Sequence, residues 1–171
     1  MNSFENDPRR QQEIRGRPIA DKIYCKQWGS DIEIVRTEFG EDCTLDQEFA
    51  IDVVITFPNG QILIGQEKFL SHQYASFGTI TIEYEQNQNT GEKGDWFKGG
   101  WMFYFTGYFT KNEDGFMPWV LANYPSIVLA TQEDRIIWRL RANNDGKALA
   151  SFMWTNIAEL PNDVVIARYT P

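Results

Sequence analysis

The chain has 171 residues, of which 42% are hydrophobic, 23% charged and 15% aromatic, enough for one core of ordinary size and too few for two comfortable domains. Sixteen Lys and Arg stand against 24 Asp and Glu, a formal charge of -8, which disfavours binding nucleic acid through a broad basic surface; a polyanion would need a local basic patch or a metal ion. No apolar run approaches the roughly 20 residues of a membrane-spanning helix and the polar stretch from Met1 to Arg17 has no signal-peptide core, so a soluble, cytoplasmic protein without a membrane partner is expected.

Along the chain, Asp7-Pro8 is a good helix start, with Asp as the cap and Pro at the first helical position. Gly16 and Pro18 then interrupt, which predicts a split helical signal whose second segment runs from about Pro18 to Trp28 with Ala20, Tyr24 and Trp28 as an apolar stripe. From Asp31 the period changes to two, with Ile32 and Ile34 alternating with Glu33 and Val35 as in a strand. Phe49 to Phe57 is almost wholly apolar, Pro58-Asn59-Gly60 is a strong turn, and Gln61 to Leu70 returns as a second strand, so a hairpin is expected here.

Thr79 to Tyr84 alternates again, and Asn87 to Asp95 is polar and carries Gly, hence a loop. Trp96 to Phe109 either opens as a short helix or runs directly into a strand whose Phe103, Phe105 and Phe109 lie on one parity and Tyr104, Thr106 and Tyr108 on the other. Ser126 to Ala130, Arg135 to Arg141 and Val164 to Tyr169 complete the expected strands, with Asn143-Asn144-Asp145-Gly146 as a turn. No repeat or linker divides the chain. The pattern predicts a single α/β domain over residues 1–171, a mixed central β-sheet flanked by helices.

The supply of soft and nucleophilic groups is thin. Cys25, Cys43 and His72 are the only Cys and His, one residue short of a four-ligand zinc site, and in a cytosolic chain the two thiols are expected to be free. His72 is expected to be a solvated loop residue, since nothing near it marks a catalytic centre. Gly91-Glu92-Lys93-Gly94 lacks the spacing of a phosphate-binding loop.

The chemistry is concentrated in the hairpin. Asp52 is the one charged residue inside the first apolar strand, and Gln66-Glu67-Lys68 places three polar residues inside the second. A charge in an apolar strand is costly to bury unless it is paired or binds a metal. Alternation puts Gln66 and Lys68 on one face and Glu67 on the other, and Asp52 on the neighbouring strand can face the first two. Asp52, the Gln66 side-chain oxygen and the Glu67 carbonyl are oxygen ligands suited to a divalent cation, and Lys68 stands close enough to hold a water or stabilise negative charge. Such a set is equipment for phosphodiester hydrolysis.

These residues resemble the PD-(D/E)xK nuclease superfamily, with its restriction-endonuclease-like fold: Ile51-Asp52, the Pro58-Asn59-Gly60 turn, then Gln66-Glu67-Lys68. Ile51 stands where the family has Pro. Gln66 stands where it has an acid, and in this the chain is similar to the Gln-x-Lys variant of methylation-dependent restriction enzymes; a neutral ligand implies weaker metal affinity. The resemblance covers roughly residues 46–70. It implies a Mg²⁺-dependent (or Mn²⁺-dependent) nuclease acting on DNA, with Asp52, Gln66 and Lys68 catalytic. It further implies a Glu on the first helix, for which Glu13 is the candidate, with Glu83 as a second acid to complete the ligands, and a possible homodimer that cuts two strands.

Arg9, Arg10, Arg15 and Arg17 form the one dense basic cluster, and Lys93 and Lys98 a smaller one; both are candidate phosphate contacts, or else solvated residues of a polar surface. Trp96, Phe97, Trp101, Tyr104 and Tyr108 either stack on bases or, more simply, pack the core. Two other classes stand beside the nuclease. One is an inactive nuclease-fold or β-rich binding or assembly module, and the other a ligand-binding β-sandwich that exposes Trp96, Trp101 and Tyr104.

Overall fold

In the computed structural model, which describes residues 8–37, 48–142 and 150–170, the apolar stripe at Ala20 and Tyr24 lies on one uninterrupted helix, α1 (Pro8–Trp28). The expected break at Gly16 and Pro18 does not occur. An internal Pro costs a helix about 3 kcal/mol, yet burial of Ala20 and Tyr24 on the sheet holds the helix together across it. Gly16 serves the packing of that helix, because a Cβ there would lie 2.5 Å from the Phe69 ring and only Gly lets the helix settle on that side chain. Among the described residues no helix is long and apolar enough to cross a membrane.

The chain then forms, among the described residues, strands β1 (Glu33–Arg36), β2 (Val53–Thr56), β3 (Ile62–Leu70), β4 (Thr79–Asn87) and β5 (Glu92–Lys93), and the one-turn helix α2 (Asp95–Lys98). Strands β6 (Phe103–Phe109) and β7 (Phe116–Asn123), helix α3 (Tyr124–Gln132), and strands β8 (Arg139–Ala142), β9 (Ser151–Asn156) and β10 (Val165–Tyr169) follow. Six strands make a mixed sheet in the order β1-β2-β3-β6-β7-β10, in which β3 and β6 run parallel and the other neighbours antiparallel. The predicted hairpin is its β2–β3 pair. A second, antiparallel sheet has the order β5-β4-β9-β8.

Each face of the six-stranded sheet has its own core. On one, Val53, Ile55, Phe103, Phe105 and Leu121 pack under Ala20 and Tyr24 of α1. On the other, Tyr104, Tyr108, Val120 and Ala122 meet Ile80, Ile82 and Met153 of the second sheet, with Ile127 and Ala130 of α3 beside them. The expectation of a mixed sheet flanked by helices therefore holds with an addition, since much of one flank is a second sheet. All seven residues of β6 are buried, because a strand covered on both sides has no solvent face.

Two expected strands change. Ser126 to Ala130 is helical, because the Asn123 side chain accepts a hydrogen bond from the Ser126 N–H at 2.9 Å and Pro125 sits in the first turn, both helix-start signals. Arg135 to Arg141 contracts to β8. The exposed-aromatic sandwich is also overturned, since Trp101 and Tyr104 are 2% and 1% exposed. Cys25 is a free thiol and His72 is exposed, whereas Cys43 and the 143–146 turn lie outside the described residues.

Candidate functional site

The β2–β3 ladder runs from Thr56↔Ile62 to Val53↔Gly65, and one step beyond its last pair stand Asp52 and Gln66. Here the strands part. The Asp52 N–H still donates to the Gly65 carbonyl at 3.0 Å, while its carboxylate oxygen Oδ2 accepts the Glu67 N–H at 2.8 Å. A side chain thus replaces the backbone acceptor that a continued ladder would supply. In an extended strand the N–H and C=O of one residue leave on the same side, so the Glu67 carbonyl faces the gap that Asp52 spans.

Alternation along β3 divides the three polar residues as the sequence predicted. Glu67 turns toward α1, where its carboxylate accepts from the Tyr24 hydroxyl at 2.9 Å and from Arg36 at 2.8 and 3.0 Å. Arg36 also reaches Asp21 at 2.6 Å. The Glu67 and Arg36 side chains are only 4% and 10% exposed. Burial works to lower the Arg36 pKa, but the two carboxylates overcome it and hold the guanidinium above its ordinary value. Burial, and then the Glu67 charge, push the Tyr24 hydroxyl well above the usual tyrosine range. Beside this network Glu13, Arg17, Thr37, Asp52, Glu67 and Phe69 line a small open cavity of about 20 Å³, room for one water or small ion.

Gln66 and Lys68 turn toward the second sheet. Gln66 Nε2 donates to Asp95 Oδ2 at 2.9 Å, while its Oε1 is shielded from solvent and, among the described residues, accepts no hydrogen bond. Lys68 Nζ lies 3.5 Å from the Thr81 carbonyl and 4.9 Å from the centre of the Phe152 ring. Burial lowers its pKa, against the opposing pull of Asp95, Glu83 and Asp52. Burial and the nearby Asp95 charge raise the Glu83 pKa, which Lys68 and Lys98 partly offset. Tyr104 sits opposite Gln66 in the parallel β3–β6 register and donates to the Thr81 carbonyl at 2.6 Å. Its hydroxyl pKa is likewise pushed well up, by burial and then by Asp95.

The sequence-predicted residues therefore fall into two groups that share Asp52. Glu13 stands with Asp52 on the α1 side, and Glu83 with Lys68 on the second-sheet side, so the two candidate completing acids lie on opposite faces of β3. Among the described residues no three His, Cys, Asp or Glu side chains converge to hold a metal ion. The Asp52 carboxylate and the Glu67 main-chain carbonyl stand at the strand opening, while the Gln66 amide turns toward Asp95 and the second sheet. The shielded, donor-free Oε1 of Gln66 suits a hard divalent cation.

The basic cluster is not a single surface. Arg15 is exposed and paired with Glu113 at 2.8 Å, Arg17 lines the cavity, Arg10 is half-buried, and Lys98 is held by Asp95 at 3.3 Å. Arg9 lies in α1, its side chain outside the described residues. Among the stretch of aromatics, Trp101, Tyr104 and Tyr108 are core, and Phe97 is exposed with Lys93 5.2 Å above its ring. The groups that sequence reasoning missed are Asp95, Arg36 and Tyr24. An Asp in the first turn of a helix is an ordinary capping-region residue, so nothing in the sequence marks Asp95 as a neighbour of Gln66. No protein-family model, characterised protein or solved structure matches the chain.

Proposed function

We propose that the protein is a metal-dependent nuclease of PD-(D/E)xK type that hydrolyses DNA phosphodiester bonds. The observation that carries this reading is the strand opening itself: Asp52 and Gln66 at the first positions past the β2–β3 ladder, the Glu67 carbonyl facing the gap, and Lys68 two residues on. The order of helix, strand, hairpin and later strands is compatible with the restriction-endonuclease-like fold.

In this mechanism Asp52, Gln66 through Oε1 and the Glu67 carbonyl would hold Mg²⁺ or Mn²⁺, with Glu83 or Glu13 as a further acid. The cation, when bound, supplies Lewis-acid polarisation of the phosphate and a lowered pKa of bound water. Lys68, whose burial lowers its pKa against the pull of Asp95, Glu83 and Asp52, would stabilise the negative charge that builds up on the phosphate. Asp52 aligns the strand opening by fixing the Glu67 amide. Arg10, Arg15 and Arg17 on α1 contact flanking phosphates, and two copies acting as a homodimer cut both strands.

The test is cleavage of single- and double-stranded DNA with and without Mg²⁺ and Mn²⁺. Cleavage that needs the metal and disappears in Asp52→Ala and in Lys68→Ala, both still folded by circular dichroism, is the expected outcome. Undiminished cleavage in both variants would sink the proposal.

A second reading, a binding module that has lost its chemistry, draws on the Gln66–Asp95 bond and the closed Glu67–Arg36 pair. It predicts no metal binding at all.

A further inference from the structure

We infer that Asp95 is a positioning residue which turns Gln66 into an oxygen ligand, an inference that rests on the nuclease reading. A glutamine amide has two ends of nearly equal shape and opposite character, one a donor and one an acceptor. Asp95 decides which end points where. A carboxylate ion-paired with Lys98 only accepts, so the end that meets it is the NH₂, and Nε2 donates to Oδ2 at 2.9 Å. Oε1 is thereby aimed away from Asp95. It is the end that is shielded from solvent and, among the described residues, accepts no hydrogen bond, a costly state for an amide oxygen unless a water or a cation satisfies it.

Asp95 is itself firmly placed. Gly94 lies so close to β4 that a Cβ would fall 2.6 Å from the Glu83 carbonyl, and its N–H donates to the Tyr84 carbonyl at 2.9 Å. That contact sets the start of α2 against β4. The other carboxylate oxygen, Oδ1, takes Lys98 at 3.3 Å. The arrangement is an outer carboxylate that orients a ligand through the ligand's far end, as in the carboxylate partners of metal-bound histidines. It also returns negative charge to a site whose strand supplies a neutral Gln, because the Asp95 charge is felt at Lys68, Glu83 and Tyr104.

The test uses the full chain and two readouts: Mn²⁺ binding by calorimetry without DNA, and the Mg²⁺ concentration for half-maximal cleavage. Asp95→Asn offers Gln66 either an acceptor or a donor, so the amide is no longer held one way round. Mn²⁺ affinity is expected to fall roughly 10- to 100-fold. The half-maximal Mg²⁺ concentration rises by a similar factor.

In the double variant Gln66→Glu with Asp95→Asn the hydrogen bond is restored with donor and acceptor exchanged, and affinity at or above that of the unaltered chain is expected. If Asp95→Asn melts early, this double variant decides the matter: restored affinity supports the inference and lost affinity overturns it. Unchanged Mn²⁺ affinity in a folded Asp95→Asn overturns it as well. An unaltered chain that neither binds Mn²⁺ nor cleaves overturns the nuclease reading itself, a result distinct from failure of the Asp95 variant alone.

Discussion

The two sides of β3 treat their polar residues in opposite ways. Toward α1, the Glu67 carboxylate is closed by the Tyr24 hydroxyl and two Arg36 nitrogens. Toward the second sheet, the Gln66 oxygen meets no donor among the described residues, and Lys68 is buried beside the Thr81 carbonyl and the Phe152 ring. Neighbours in one strand can differ this far because a strand alternates its side chains between layers, and each layer brings its own partners. A saturated polar group in a core is a structural device, whereas an unsaturated one beside it is where chemistry is to be sought.

Substitutions on either side put this contrast at risk. The largest effect is expected at the strand opening and the second-sheet side, where loss of Asp52 or Lys68 lowers metal-dependent cleavage by about 10³-fold or more, equivalent to about 4 kcal/mol of barrier, in variants that remain folded. On the α1 side stability, and not cleavage, should respond. Arg36→Ala leaves Glu67 and Asp21 facing each other without their cation, and a broken buried pair costs about 3 kcal/mol, read as a lower urea midpoint. Should Arg36→Ala abolish cleavage while leaving the urea midpoint unmoved, the division of labour between the two sides would be wrong.

Smaller effects bear on the same division. Gly16→Ala drives a Cβ into the Phe69 ring, which forms part of the α1-side cavity wall, and about 1–2 kcal/mol of stability should be lost on thermal melting. Least of all is expected from Arg15→Ala. Its exposed pair with Glu113 is worth under about 1 kcal/mol, so stability should hardly change, while the slope of DNA affinity against salt should fall by about one if Arg15 touches a phosphate.

Local signals carried much of the fold. The Pro58-Asn59-Gly60 turn between two apolar runs announced the hairpin, and the alternation in Gln66-Glu67-Lys68 correctly separated Glu67 from its neighbours. The failures have a common cause. Pro18 and Gly16 looked like breakers because the cost is local, whereas the compensating burial of Ala20 and Tyr24 comes from strands far along the chain. Ile127 and Val128 looked like a strand because β-branched residues favour one, and the Asn123 cap with Pro125 outweighed them.

Residue order alone was enough for the polar residues of the hairpin, for the faces that Gln66, Glu67 and Lys68 take, and for the acidic balance of the chain. Which partners those residues meet was left to the packing of the layers. Arg36 closes on Glu67 across 31 positions and Asp95 on Gln66 across 29. Contacts between residues so far apart form only when the strands pair and α2 packs beside them, and no local spacing in the chain encodes them.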